Sequence, residues 1–125
     1  MSYTHDKYTP TVEVNNMTIS SDIIRGYNDT ILLSTLLTGD SYGYEMAQMV
    51  ESISEGKYRI KETTLYSCMK RLEKNGYIES YRLKDISMKK RVYYHITKKG
   101  IAYYYDKCKE WELTRDVINR FAKEL

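Results

Sequence analysis

Apolar residues recur at helical spacing in four stretches of the chain and alternate in two. The first stretch, IIRGYNDTILLSTLL, places Ile23, Ile24, Tyr27, Ile31, Leu32 and Leu36 on one face. Ser21-Asp22 predicts its N-cap, and Gly39 in Thr38-Gly39-Asp40 suits a left-handed end. Ser41 predicts the cap of a second helix, YGYEMAQMVESIS, with Met46, Met49, Val50 and Ile53 inward. After a short extended piece, KYRI, the run ETTLYSCMKRLEKNG puts Leu65, Cys68, Met69 and Leu72 on one stripe. Asn75-Gly76 closes this third helix.

YIESYRL and RVYYHI alternate and predict two strands joined by the loop KDISMKK into a β-hairpin. Tyr93 and Tyr94 point to opposite faces, so one can pack beneath the third helix. Thr97 predicts the cap of a long last helix reaching to about Leu125. The expected architecture is mainly α with a small β-hairpin. Residues 1–19, without a sustained period and holding Pro10, predict a flexible arm. Residues 20–98 predict a winged helix-turn-helix domain, and residues 99–125 a C-terminal dimerisation helix.

Charge changes the picture more than composition does. The net charge is only +3, but Lys57 to Lys99 holds thirteen Lys/Arg against four Asp/Glu, a local excess of +9. Residues 1–56 hold two basic and eight acidic side chains, and residues 100–125 five of each. A positive field concentrated on one segment attracts polyanions and releases counterions from a phosphate backbone. A solvated basic face is the plain alternative.

The third helix has the anatomy of a major-groove reader. Its inner stripe is apolar, and Thr63, Thr64 and Ser67 can hydrogen-bond base edges or touch thymine methyls. Lys61 and Lys70 suit phosphates, and Tyr42 and Tyr66 complete the expected contact set on the helical side. Lys89, Lys90 and Arg91 form a basic hairpin tip able to straddle phosphates or enter the minor groove. The same charges would also protect a strand edge.

No nucleophile, acid–base pair or metal-ligand spacing appears, so neither enzyme chemistry nor a cofactor is expected. Cys68 and Cys108 fall on apolar stripes and read as small core residues. His95 reads as a packed or surface residue of the second strand. No apolar run reaches the roughly 20 residues that span a bilayer, and the start is polar. A cytoplasmic protein with no membrane partner is expected.

The runs DSYGYEMAQMV, TLYSCMKRLEKNGYIES and KKRVYYHITKKG resemble the PadR family of transcriptional regulators over about Ile24 to Lys109. Three departures stand out: Lys61 to Ser67 lacks the prolines of the S-P-G-T-L-Y-P pattern, Ser87-Met88 replaces Gly-Gly, and Val92 replaces Lys. The missing prolines and single last helix resemble the small, multidrug-responsive branch. The basic segment and the helix-helix-helix-wing order predict a repressor on a pseudo-palindromic site in double-stranded DNA, and the resemblance implies that it acts as a homodimer. In it the last helix packs on the partner's first and last helices.

On the residues alone, Ile101, Tyr104, Cys108, Trp111, Ile118, Ala122 and Leu125 follow heptad-like spacing interrupted by Arg115. Such a stripe can meet a partner or fold back on its own domain. Ile23, Ile31 and Phe121 join the expected interface. The resemblance further implies a pore in which Trp111 stacks a small planar aromatic ligand, with Ile24, Tyr27, Asn28 and Arg115 nearby. The alternative is that Trp111 anchors the interface. A winged-helix interaction adaptor that binds no DNA is the rival function, and the basic segment argues against it.

Overall fold

The structure, a computed structural model, describes residues 17–84 and 86–123. Most of the arm expected over residues 1–19 lies outside them. At its end, the Ile19 N–H donates to the Lys57 carbonyl at 3.0 Å, so this last piece is fastened to the body.

Ser20, one residue before the expected cap, accepts from the Ile23 N–H and opens α1 (Ser21–Ile24). A 3-10 turn, Arg25–Tyr27, leads into α2 (Asn28–Ser34). The single helix expected here is thus interrupted. A 3-10 segment winds about three residues per turn, which re-phases the apolar face across it. Ile24, Leu32, Leu33 and Leu36 are buried, whereas Ile23, expected beside them, is 67% exposed.

Next come β1 (Ser41–Tyr42), α3 (Gly43–Ile53), α4 (Glu62–Lys74), β2 (Ile78–Lys84), β3 (Lys90–Ile96) and α5 (Lys98–Ile118). The hairpin therefore gains a third strand, in the order β1-β3-β2. Both pairings are antiparallel, with Ser41 and Tyr42 opposite Tyr94 and Tyr93, and Ile78 opposite Ile96. Ser41, expected as a helix cap, is instead a strand residue whose hydroxyl donates to Glu45 Oε1 at 2.6 Å. The N-cap position of α3 belongs to Tyr42.

The core gathers Leu32, Leu33 and Leu36, Met46 and Val50 of α3, and Ile78, Tyr94 and Ile96 of the hairpin. The predicted stripe of the third helix, Leu65, Cys68, Met69 and Leu72, is buried in full. Full burial of a large apolar side chain is worth roughly 1.5–3 kcal/mol, so this stripe holds the outer face of α4 firmly. Ile53, expected inside, is exposed, because the chain leaves α3 there through the left-handed residues Glu55 and Gly56. Tyr58 and Ile60 of KYRI are buried without forming a strand.

The end of α4 and the start of α5 share their caps. Gly76 is left-handed at φ 79°, as the closing Asn75-Gly76 predicts. The carbonyls left over at this helix end receive donors from α5. Thr97 Oγ1 donates to Gly76 O at 2.7 Å, the Thr97 N–H to Tyr77 O at 3.0 Å, and Lys99 Nζ to Asn75 O at 2.8 Å. Thr97 Oγ1 also accepts from the Gly100 N–H, confirming the expected cap. Gly100 presses on Tyr77 so closely that a Cβ there would run into the Tyr77 carbonyl oxygen.

α5 ends at Ile118, short of the expected Leu125, which lies outside the described residues. Ile101 and Tyr104, expected at a dimer interface, already pack against this chain's own core. Farther along α5 the apolar residues turn outward. No described helix is long and apolar enough to cross a membrane.

Candidate nucleic-acid interface

The outer face of α4 carries Thr63, Ser67 and Lys70 exposed, with Thr64 half-buried and Lys61 at the N-cap position. The burial of the opposite stripe turns these polar side chains outward. Thr63, Thr64 and Ser67 line a shallow cleft of about 260 Å³ together with Arg25 and Arg71. Neither arginine stands out in the sequence, because each lies outside the basic runs or on the flank of the helix. Arg25 pairs with Asp22 at 3.0 Å in solvent, and Arg71 pairs with Asp29. Tyr66 is exposed along its flank, but its hydroxyl end lies over Gly43, where a Cβ would collide with it.

The sheet's outward face holds a row of rings across all three strands. Tyr42 meets Tyr93 edge-on at 5.4 Å, and Tyr93 stacks on Tyr81 at 5.8 Å. The Arg91 guanidinium lies over the Tyr42 ring at 4.4 Å, a cation–π geometry. Tyr42, expected to touch DNA, therefore carries Arg91 on its face. Lys89 and Lys90 are exposed at the start of β3.

Below this row Asp40 accepts from the Tyr81 hydroxyl at 2.6 Å, and its other oxygen sits 2.8 Å from His95 Nδ1. The Tyr81 hydrogen bond, then the His95 contact, hold the Asp40 carboxyl below its ordinary value of 3.8. This contact fastens β2 and β3 to the loop before β1. His95, read as merely packed or on the surface, is one of its two partners.

The expected effector residues divide. Ile24, Tyr27, Trp111 and Arg115 line one apolar groove of about 810 Å³ between the first helix and α5, with Ile23, Ile31 and Ile118 of the expected interface. Tyr27 meets Trp111 edge-on at 5.2 Å, and Trp111 remains 44% exposed. Asn28 does not join them. The 3-10 turn rotates it into the body, where it is buried and accepts from the Tyr58 hydroxyl at 2.6 Å. Cys108 is half-buried on α5, and Phe121 and Ala122 are exposed beyond its end. The Cys68 thiol is pushed up to about 12, first by burial and then by the Asp29 carboxylate, and remains protonated.

The sequence matches the model of the transcriptional regulator PadR-like family across residues 32–106. The chain belongs to the PadR-like family. A transcriptional regulator from Clostridium thermocellum is 57% identical, covering 85% of this chain and 100% of its own, with a TM-score of 0.78. A PadR family transcription regulator from Clostridium difficile R20291 is 33% identical, covering 76% and 97%, with a TM-score of 0.65. An uncharacterised protein X of Lysinibacillus sphaericus is 41% identical over 107 residues, 86% of this chain and 98% of that protein.

The PadR-like chain is accordingly a DNA-binding regulator of transcription and not an enzyme. Its winged-helix fold, three-stranded sheet and C-terminal helix agree with the expected architecture, apart from the added strand.

Proposed function

We propose that this PadR-like protein is a homodimeric repressor on a pseudo-palindromic operator. α4 is its recognition helix: Thr63, Thr64 and Ser67 read bases, while Lys61 and Lys70 fix register on phosphates. Lys89, Lys90 and Arg91 bring the wing to the backbone. The observation that carries the reading is the outward face of α4, hydroxyls and cations set on a fully buried apolar stripe. In a symmetric dimer two such faces would enter successive major grooves about 34 Å apart. The outward apolar residues of α5 supply a surface for the second copy.

Trp111, stacked edge-on against Tyr27 in the apolar groove, supports release by a flat aromatic ligand. Arg115 at the groove's rim disfavours cationic ligands.

Titration against the DNA upstream of its own gene tests the repressor reading. Lys89→Glu with Arg91→Glu should weaken binding at least about tenfold and flatten its salt slope by about two to four charges. Unchanged binding removes the wing from the interface. Binding without any salt dependence in the unaltered protein favours the adaptor reading.

A further inference from the structure

Asp29 lies in the first turn of α2, its side chain only 15% exposed, and meets two other helices at once. Its Oδ1 accepts from the Arg71 guanidinium and lies 3.0 Å from Cys68 Sγ, both on α4. Its Oδ2 accepts from the Tyr103 hydroxyl of α5 at 3.0 Å. Arg71 and Cys68 are one turn apart and touch each other at 3.4 Å. The Tyr103 ring stacks on Tyr77, just past the end of α4, with centroids 4.0 Å apart. One carboxylate therefore ties the recognition helix and the C-terminal helix to the first helix.

A largely buried carboxylate is a poor choice for stability alone, since its desolvation offsets much of what its partners return. Its distinctive property is direction. Apolar burial holds α4 in place without being directional itself, whereas hydrogen bonds add a fixed direction. A roll of about 20° moves a side-chain tip roughly 2 Å, given a helix of about 10–12 Å diameter. That displacement breaks a 3.0 Å contact.

We propose that Asp29 is a positioning residue that sets the half-site spacing the dimer accepts. It acts by fixing the angle between α4 and α5 through Arg71, Cys68 and Tyr103. This rests on the homodimer reading above. In such a dimer each recognition helix sits about 17 Å from the dyad, half of the 34 Å repeat. α5 runs about 22 Å from Tyr103 to Ile118, so a 10° change in its angle to α4 shifts its far end against α4 by roughly 4 Å, close to one base-pair step of about 3.4 Å. The clamp therefore acts on spacing at single-base-pair scale. The Tyr103 hydroxyl, pushed up to about 12 by burial and then by Asp29, stays a donor across the working pH range.

The test uses the full chain and duplexes that the unaltered protein selects from a random pool. Affinity is measured at the selected half-site spacing and with one base pair added or removed, alongside thermal melts and sedimentation. The unaltered protein should prefer its own spacing by at least about tenfold. Asp29→Asn keeps the shape and should reduce that preference to about threefold or less. Tyr103→Phe keeps the Tyr77 stack, guards against a folding defect in Asp29→Asn, and should lower the preference to an intermediate value.

An equal loss at all three spacings in both variants would make the cluster merely structural and overturn the inference. A steeper salt slope with spacing preference intact would mean that Asp29 only restrains Arg71, and would overturn it too. A monomer in sedimentation, or an unaltered protein indifferent to spacing, would bring down the homodimer reading and the inference with it.

Discussion

The two halves of α5 contain similar residues and are finished differently. From Thr97 to Tyr104 the helix is built into its own domain. Gly100 presses on the Tyr77 carbonyl, Tyr103 stacks on Tyr77 and bonds Asp29, and Ile101 joins the core. From Trp111 onward Leu113, Val117 and Ile118 point outward, with Phe121 just beyond, 79% exposed. The described core explains the first half, whereas among the described residues the second is covered only in part, where Tyr27 meets Trp111 across the apolar groove. The less covered half is the surface that the homodimer proposed above would use.

The two halves of α5 should differ most sharply at Gly100. Gly100→Val places side-chain atoms against backbone at Tyr77, which cannot rotate away. We expect a loss of about 3 kcal/mol or more in urea unfolding. A loss under about 1 kcal/mol would show that the rooted half is loosely packed.

The outward half should respond in the opposite sense. Ile118→Asp with Phe121→Asp should leave the far-UV circular dichroism spectrum of the folded chain intact, because both side chains face solvent in the single chain. Light scattering should then report a monomer where the unaltered protein is a dimer, and operator affinity should fall about tenfold or more. An unchanged mass would remove this face from the interface.

The smallest effect belongs to the exposed fastening of the wing, and it separates burial from bond counting. Asp40 has two good partners yet remains accessible to water. Its folded value lies below 3.8, so its contribution is present above that pH and is lost as the pH falls through the folded value. Thermal melts of the unaltered protein and Asp40→Asn should differ by less than about 1 kcal/mol near neutrality. The gap should close as the pH drops below 3.8. A large gap persisting below it would assign the effect to packing and blur the contrast with Gly100.

Periodic features are legible in the chain itself. Leu65, Cys68, Met69 and Leu72 announce a buried stripe because helical spacing repeats locally, and their burial fixes which face of α4 is outward. Thr97 and Gly76 are legible because cap chemistry is local as well. What escapes a sequence reading depends on phase or distance. The 3-10 turn shifts the first helix's phase, turning Asn28 inward to Tyr58 and Ile23 outward. β1, at two residues, is too short to alternate. The partners of Asp29 and Asp40 lie 39 to 74 and 41 to 55 residues away in the chain, and no local spacing encodes them. A lone acid within NDTILL is the one sequence signal that points to Asp29.

The shared caps at Asn75, Gly76 and Tyr77 have a further consequence for how such a protein can change. The hairpin leaves the helical body at Ile78 and returns to it at Ile96, directly opposite in the sheet. Its two ends are stapled to each other by the bonds from Thr97 and Lys99. The wing is thus a detour whose entrance and exit coincide. Residues can be gained, lost or exchanged at its tip, as Ser87-Met88 stands for Gly-Gly, without moving the frame that aims α4. The wing tip and α4 are therefore free to change as separate modules.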